Sequence, residues 1–309
     1  MTARRSFNLL LYASLAFLAV YLYRNDLLRW PTVVRPWWFG ASFAVLCVAF
    51  VVHAETWRIP LKVFGWPVRF ADSTASTGLS IFAKYIPGKL WTILGRSEYI
   101  AALYGYPRTQ LATLSLNRQF ISLWVGLLLG TIGMYAAGGT TRWGHLVLVL
   151  FLALSMILFV DAINRLVERM ASRVLGRPVD LPKLSAGQTL RVLPVFAANW
   201  LLWCAGFHLL AQGMVEEILP WHTGLSFALA GSLGILAIIA PGGIGVRESI
   251  FVGYFLLVGV ETTLATSIAV TSRLWFLAGE AFIFGIGWIM RRRPARPGGD
   301  DPPGPTSAR

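Results

Sequence analysis

The sequence predicts an all-α integral membrane protein, a bundle of about six to eight transmembrane helices. Only 13% of its 309 residues are charged and 56% are hydrophobic, whereas a soluble domain carries about 25% charged residues. A helix needs roughly 20 apolar residues to cross a hydrocarbon core about 30 Å thick. Several stretches of comparable length contain no Asp, Glu, Lys or Arg: 6–23, 36–54, 119–141, 143–160, 192–215 and 218–246.

The net charge of +13 does not indicate a nucleic-acid partner. The Lys and Arg residues lie at the ends of apolar stretches rather than in one patch, as the positive-inside rule predicts for a membrane protein. The two Cys lie inside apolar stretches. The four His are scattered and lie beside neither of the motifs described below. Neither the Cys nor the His residues have the spacing of metal ligands, so we expect no metal and no cofactor.

Basic residues in short loops also predict the orientation of the chain. Arg4 and Arg5 place the N-terminus in the cytoplasm, and the basic run 291–293 places the C-terminal end there. The connection 161–191, with six basic residues, is predicted to be cytoplasmic as well. The loop 24–36 opposes this topology, because it carries three Arg and should face out. We expect a multi-pass protein of a bacterial inner membrane with both termini cytoplasmic.

Two apolar segments, 73–96 and 222–259, are interrupted by Gly and Pro. If the first enters from the cytoplasm and returns, and the second enters from outside and returns, the orientation of the loops is satisfied. Two broken re-entrant hairpins in inverted orientation are typical of an inverted-repeat transporter. Eight plain crossings are the alternative. The crossing helices themselves are predicted near 7–23, 37–54, 111–137, 143–160, 191–213 and 264–290.

The chain is predicted to form one transmembrane domain over 1–293. Within it, residues 161–180 alternate charged and apolar residues at helical spacing, which predicts an amphipathic helix on the cytoplasmic interface. Residues 294–309 are rich in Pro, Gly, Asp and Ser and are predicted to form a disordered cytoplasmic tail.

The first motif, residues 83–91, reads Ala-Lys-Tyr-Ile-Pro-Gly-Lys-Leu-Trp. Pro87 and Gly88 should break a helix. A break inside lipid is tolerated only where protein or water satisfies the backbone. Lys84 and Lys89 flank this break, so the motif is either an anion site, for example for a lipid phosphate, or an interfacial turn with snorkelling lysines.

The second motif, residues 240–249, reads Ala-Pro-Gly-Gly-Ile-Gly-Val-Arg-Glu-Ser. Gly242, Gly243 and Gly245 disfavour a helix interior and leave amide N–H groups free to bind an anion. Arg247 and an acidic residue follow directly. The spacing is not that of a nucleotide-binding P-loop, because no Gly-Lys-Ser/Thr ending and no preceding strand are present.

Single charges inside predicted helices add to the candidate site. Arg118 lies near the start of a long apolar helix, and Arg273 and Glu280 lie seven residues apart in the last helix, two turns along one face. An ionisable group within a membrane is costly unless paired or hydrated, and it indicates function by default. For Arg273 and Glu280 the alternative is an internal salt bridge that fixes packing.

The first motif, together with Arg96, resembles the signature in the membrane region of lysylphosphatidylglycerol synthases, the multiple peptide resistance factor proteins. The run 241–248 resembles the second signature of the same family, and both occur in the expected order. The resemblance covers about residues 5–290. It implies a lipid flippase that moves modified phospholipids between leaflets. Full-length synthases append a soluble aminoacyl-transferase domain where this chain has a short polar tail, so we do not expect it to make lysyl-phosphatidylglycerol.

The predicted function is therefore that of a flippase or transporter, not an enzyme. Its partner would be a membrane phospholipid or a polyprenyl-phosphate or hopanoid-type lipid. A membrane transferase is the first alternative, but such enzymes usually need an acidic pair, and Glu55, Asp72 and Glu98 are interpreted as interfacial charge partners. A non-catalytic partner of a lipid-modifying enzyme is the second alternative. The candidate substrate-binding residues are Lys84, Pro87, Gly88, Lys89, Arg96, Arg118, Pro241, Gly242, Gly243, Gly245, Arg247, Glu248, Arg273 and Glu280.

Overall fold

A computed structural model describes residues 33–85, 91–138, 141–160, 173, 184–237, 243 and 245–292. The predicted first helix near 7–23, the amphipathic segment 161–180 (Arg173 apart) and the tail 294–309 lie outside these residues. Within the described part the chain is helical and contains no strand. Its helices are α1 Pro36–Phe64, α2 Phe70–Ser80, α3 Trp91–Tyr104, α4 Arg108–Gly138, α5 Arg142–Phe159, α6 Ala186–Gln212, α7 Ser226–Leu236, α8 Val246–Leu257 and α9 Thr262–Met290.

Five of these helices are long and apolar enough to cross a membrane, namely α1, α4, α5, α6 and α9. They coincide with the last five of the crossing helices predicted from the sequence, and the all-α membrane fold is thus confirmed. Local chemistry sets their ends. Ser185 and Gln188 form a capping box at the start of α6, which satisfies backbone N–H groups that would otherwise lack partners. Gly65 ends α1 with φ +100°, a conformation that glycine adopts without steric cost.

The two broken segments form pairs of short helices. In the first pair, α2 continues into the 3-10 turn Ile81–Tyr85, and α3 follows the motif. In the second pair, the 3-10 turn Trp221–Leu225 leads into α7, and α8 follows the glycine-rich run. In each pair the described helices lie on either side of residues from a motif that the sequence singled out. The structure therefore confirms a helix break in both segments.

Hydrogen bonds show at which end of the bundle the outer ends of each helix pair lie; we say that the pair opens at that end. The Arg69 N–H, just before α2, donates to the Tyr104 hydroxyl at the end of α3 at 2.9 Å. The Tyr104 hydroxyl in turn donates to Asp72, which also forms an ion pair with Arg292 just after α9. Both ends of the first pair thus lie at one end of the bundle, which we call the Arg292 end. Burial alone would raise the pKa of Asp72, but hydrogen bonds from Arg292 and Tyr104 outweigh it and hold this pKa below its usual value.

The second pair opens at the opposite end. The Tyr254 hydroxyl, near the end of α8, donates to the His222 carbonyl at 3.0 Å and to the Gly133 carbonyl, near the end of α4, at 2.8 Å. Helix α4 starts at the Arg292 end, just after α3, and therefore finishes at the other end. The N–H groups of Val34 and Arg35, before α1, both donate to the Gly213 carbonyl after α6 at 2.9 Å. We call this the Gly213 end.

Helices α1 and α6 are antiparallel and form the most extensive pair among the described helices. At one end, the Gln188 side chain donates to the Val63 carbonyl at 3.2 Å, so the start of α6 meets the end of α1. An aromatic group fills the centre between them and α9: the ring of Phe276 lies 5.1 Å from Phe50, 5.6 Å from Trp203 and 5.4 Å from Phe227. Two of these rings, Phe227 and Phe276, also lie against charged residues of the site described below.

Close glycine contacts hold each short pair against a long helix. A Cβ at Gly78 on α2 would overlap the backbone carbonyl of Ile283 on α9, and one at Gly130 on α4 would lie 3.0 Å from Leu229 Cα on α7. Small residues allow such close approach between helices in membranes. Gly126 and Gly133 on α4 lie at least as close to their neighbours, so α4 packs tightly along its glycines.

We expect Gly78→Ala to lower the thermal unfolding temperature, because the added methyl group displaces α2 from α9. Overpacking of this kind costs about 1–3 kcal/mol. Thermal unfolding of the purified protein in detergent measures the effect. Gly285→Ala on α9 is the matched control, since its Cβ would meet no atom within 4 Å. Equal unfolding temperatures for the two variants would contradict the close packing of α2 on α9.

Candidate functional site: buried charges beside the two helix breaks

Charged side chains are buried between the two broken pairs. Arg247 and Arg273 are buried, and Glu280 has no exposed surface. Lys84, in the 3-10 turn that follows α2, keeps 29% of its side chain exposed. In a membrane such charges are costly unless they are paired or hydrated. Their partners therefore define the site.

Glu280, on α9, accepts from two donors of the first pair. Lys84 Nζ forms an ion pair with its Oε1 atom, and the Tyr85 hydroxyl donates to its Oε2 atom at 2.9 Å. Lys84 Nζ also lies 4.9 Å from the centre of the Phe276 ring, on the same face of α9. Both carboxylate oxygens of Glu280 are thus occupied. These contacts tie the break of the first pair to the long helix that follows the second pair.

Glu248 organises the start of α8. Its Oε2 atom accepts a hydrogen bond from the Gly245 N–H at 2.7 Å, and its Oε1 atom lies 3.7 Å from Nη1 of Arg273. Gly245 has φ +83° and Gly243 has φ +71°, a left-handed backbone that favours glycine. Gly243 and Gly245 therefore shape the turn, and the acid after Arg247 caps the helix and pairs with α9.

Arg247 contacts two aromatic rings and a glycine. Its guanidinium carbon is 5.2 Å from the centre of the Phe227 ring and 5.1 Å from that of Phe276. Its aliphatic part rests on Gly234, where a Cβ would come within 2.8 Å of Arg247 Cγ. The Nε atom is buried and has no hydrogen-bond partner among the described residues. Cation–π contacts position this arginine but leave it with donor capacity for an anion.

We call Lys84, Tyr85, Arg247, Glu248, Arg273 and Glu280 the central cluster. The Arg273 guanidinium carbon lies 5.9 Å from the centre of the Tyr85 ring, which joins the two ion pairs. Three cations and two carboxylates leave one net positive charge in the cluster. An anionic group bound there would complete the charge balance.

A second group of buried cations lies in the first half of the chain. Arg118, on α4, donates to the Thr56 carbonyl at 3.0 Å and to its hydroxyl, and its Nη2 atom lies 3.1 Å from His53 Nε2. Arg96, on α3, lies 5.8 Å from the centre of the Trp57 ring. Both arginines are buried. We call His53, Trp57, Arg96 and Arg118 the arginine pocket.

The structure thus divides the predicted site residues into two groups. Arg247, Glu248, Arg273, Glu280 and Lys84 come together in the central cluster, with Gly243 and Gly245 in the turn beside it. Arg96 and Arg118 instead lie along α1, in the arginine pocket. The remaining predicted residues lie outside the described part of the chain: Pro87, Gly88, Lys89, Pro241 and Gly242.

One interpretation of the last helix is corrected. Arg273 and Glu280 were considered as an internal salt bridge along one face of α9. Glu280 uses its two oxygens for Lys84 and Tyr85, and Arg273 forms its ion pair with Glu248. The physical reason is that the breaks of both pairs bring partners from other helices to α9. These charges link separate elements rather than stiffen one helix.

Sequence reasoning missed several groups that complete the two sites. Tyr85 was visible inside the first motif, next to Lys84, but its hydroxyl had no evident partner. His53 was set aside because it lies beside neither motif in the sequence. Phe227 and Phe276 were indistinguishable from packing aromatics, because only the fold places them beneath Arg247 and Lys84.

The remaining acids of the first half have structural partners. Each lies on a helix and forms an ion pair with an arginine. The pairs are Glu55 with Arg58, Asp72 with Arg292, and Glu98 with Arg108. Within the described residues no group of three or more His, Cys, Asp or Glu side chains could hold a metal ion.

Comparison with known proteins places this architecture in a family. The family model of the lysylphosphatidylglycerol synthase TM region matches residues 6–278. The chain belongs to this family. Members share a membrane domain associated with lipid modification or flipping. No curated protein and no solved structure gives a significant match. The family assignment confirms the resemblance that the two motifs indicated, and with the five apolar helices it makes this chain a multi-pass membrane protein.

Proposed function

We propose that this member of the family moves an anionic or modified phospholipid between the two leaflets of a bacterial inner membrane. The observation that supports this most is the central cluster, whose net positive charge lies against α9 beside the breaks of both helix pairs. A phosphate group is the ligand that such guanidinium and ammonium donors bind best. The lipid tails would stay in the bilayer while the head group enters the cluster.

The opposite openings of the two pairs support a transport mechanism. The first pair opens at the Arg292 end and the second at the Gly213 end. We interpret the pairs as re-entrant hairpins of an inverted repeat, with the Arg292 end and both termini in the cytoplasm. Rocking of one half against the other would then expose the cluster to each leaflet in turn, as in other inverted-repeat transporters.

Lys84 and Arg247 would make the first contacts with the lipid phosphate. Lys84 is partly exposed, and Arg247 has an unused donor among the described residues. Both acids of the cluster already serve as partners of cations, and Glu248 also caps α8. They hold the cations in place rather than act as a base. We therefore propose a transporter that catalyses no covalent step.

The test is reconstitution of the purified chain in liposomes that carry fluorescent phosphatidylglycerol. A membrane-impermeant reducing agent bleaches the probe in the outer leaflet, and transport makes the inner-leaflet probe accessible. We expect wild-type protein to increase accessibility for phosphatidylglycerol more than for zwitterionic phosphatidylcholine. Arg247→Gln should slow it about 10-fold or more, since a hydrogen bond to a charged group contributes about 1.5–3 kcal/mol.

The matched control is Arg108→Gln, because Arg108 has 72% of its side chain exposed in a surface ion pair. It should transport like wild type. No accessibility with wild-type protein that is correctly inserted would overturn the proposal, as would equal rates for Arg247→Gln and wild type. A covalently altered lipid recovered from the liposomes would instead support a transferase.

A further inference from the structure

Eight of the nine described helices form two units with the same order of elements, and α5 lies between the two units in the chain. Each unit consists of a long helix, a broken pair of short helices and a second long helix. The corresponding helices have similar lengths: 29 and 27 residues for α1 and α6, 11 and 11 for α2 and α7, 14 and 12 for α3 and α8, and 31 and 29 for α4 and α9.

The packing follows the same correspondence. Helix α2 packs chiefly on α9, the last helix of the other unit, and α7 packs chiefly on α4 in the same way. Helices α1 and α6 pair with each other in antiparallel orientation. A twofold axis across α1 and α6 accounts for all three contacts. Positions in one unit therefore have counterparts in the other.

This correspondence relates the buried arginines in pairs. Arg96 on α3 is preceded by Gly95 and a Pro-Gly step, and Arg247 on α8 is preceded by Gly245-Val246 and a Pro-Gly step. Each is followed directly by one Ser and one Glu, in opposite order. Arg118 lies ten residues after the start of α4, and Arg273 lies eleven after the start of α9. The arginine pocket is thus the counterpart of Arg247 and Arg273.

The two counterparts differ in their acids. Arg273 has Glu248 as a partner, and Glu280 lies in the same cluster. Neither Arg96 nor Arg118 forms an ion pair with a carboxylate among the described residues, because Glu98, the acid nearest to Arg96 in the sequence, binds Arg108. The partners of Arg118 are instead Thr56 and His53. Two buried cations without a carboxylate are costly unless an anion is bound.

Unused donors point to the same conclusion. The Nε atom of Arg96 and the Nε1 atom of Trp57 are both buried and have no acceptor among the described residues. Both groups can only donate hydrogen bonds. Arg96 is 4% exposed, Arg118 is 2% exposed and Trp57 is fully buried. The pocket therefore offers donors and positive charge to a ligand that supplies acceptors and negative charge.

We infer that the arginine pocket is a second anion site, which binds the phosphate of the transported lipid at a different stage from the central cluster. This inference rests on the proposed function for the identity of the lipid. The head group would pass between two arginine pairs related by the internal twofold. Arg247 and Arg273, which have acids nearby, bind the phosphate more weakly than Arg96 and Arg118, which have none. The lipid therefore rests preferentially in the arginine pocket.

The experiment counts lipids bound to the intact chain by native mass spectrometry, with phosphatidylglycerol as the probe and phosphatidylcholine as the reference. We expect wild-type protein to bind two phosphatidylglycerol molecules in preference to phosphatidylcholine. Arg118→Gln should weaken the tighter of the two by about 10- to 100-fold, the effect of one charge-assisted hydrogen bond. Arg247→Gln should weaken only the other, and Arg108→Gln neither.

Trp57→Phe is the second variant: it keeps an aromatic ring but removes the Nε1 donor together with part of a fully buried ring system, which costs some stability. It should weaken the same lipid as Arg118→Gln and leave the other lipid bound as in wild type, a selective effect that misfolding of the whole chain would not give. One bound lipid in wild type, or unchanged binding in both Trp57→Phe and Arg118→Gln, would overturn the second site. Displacement of that lipid by inorganic phosphate would show a free-phosphate site and overturn the lipid assignment.

Binding and transport are measured separately, so the two proposals can fail independently. A chain that binds two phosphatidylglycerol molecules but moves none would retain the second site and lose the proposed function. A chain that transports lipid but binds only one would retain the function and lose the second site.

Discussion

Glu280→Met is expected to destabilise the folded protein by about 3–5 kcal/mol, because it leaves the Lys84 ammonium without its buried partner. Lys84→Met should have an effect of similar size, since Glu280 has no exposed surface and would keep only the Tyr85 hydroxyl. The double variant Lys84→Met/Glu280→Met should recover most of the lost stability. Apolar side chains of similar length can replace a buried ion pair at little cost.

Thermal unfolding in detergent measures all three variants, and Lys62→Met at the exposed end of α1 is the control for loss of one positive charge. The liposome assay then separates stability from transport. The double variant should be stable and inactive, because it lacks the ammonium group that we propose binds the phosphate. If the destabilisations simply add in the double variant, the two residues are not coupled in the folded protein. If it transports normally, Lys84 has no part in the site.

The helices of this fold were largely predictable, because lipid imposes a simple rule on the sequence. A helix that crosses the bilayer must be apolar for about 20 residues, and its length can be read directly. The breaks were equally clear: Pro87 and the glycines near 243 cannot sit comfortably in a helix interior. What the sequence lacked was evidence of which residues meet at the outer ends of each pair. That depends on distant contacts such as the hydrogen bond from Arg69 to Tyr104.

The residues of the site were predictable as a set but not as partners. Buried charges in a membrane stand out in any sequence, so Lys84, Arg273 and Glu280 were identified. Lys84 and Glu280, however, are 196 residues apart, and only the packing of α2 on α9 brings them together. Glu280 and Arg273 share one helix, which made the local pair look reasonable. His53 and Arg118 are 65 residues apart and meet because α1 packs against α4.

Gly234→Ala is expected to abolish most transport without removing any charge. The new methyl carbon would lie 2.8 Å from Cγ and 3.2 Å from Cδ of Arg247. Cγ is near the backbone, so the side chain cannot avoid the contact by moving its tip. Arg247 must then leave its position over the rings of Phe227 and Phe276. A displacement of about 1 Å at a binding group can cost a factor of about 100 in rate.

Gly253→Ala is the matched control, since it lies on α8 with Arg247 and its Cβ would meet no atom within 4 Å. In a helix interior that change should even stabilise the protein by about 0.5–1 kcal/mol. Both variants are compared in the liposome assay at equal insertion. Loss of transport in Gly234→Ala alone would mean that the position of Arg247, and not only its charge, is required. Full activity in both would mean that the substrate does not depend on this arginine's placement, and the central cluster would lose its assigned role.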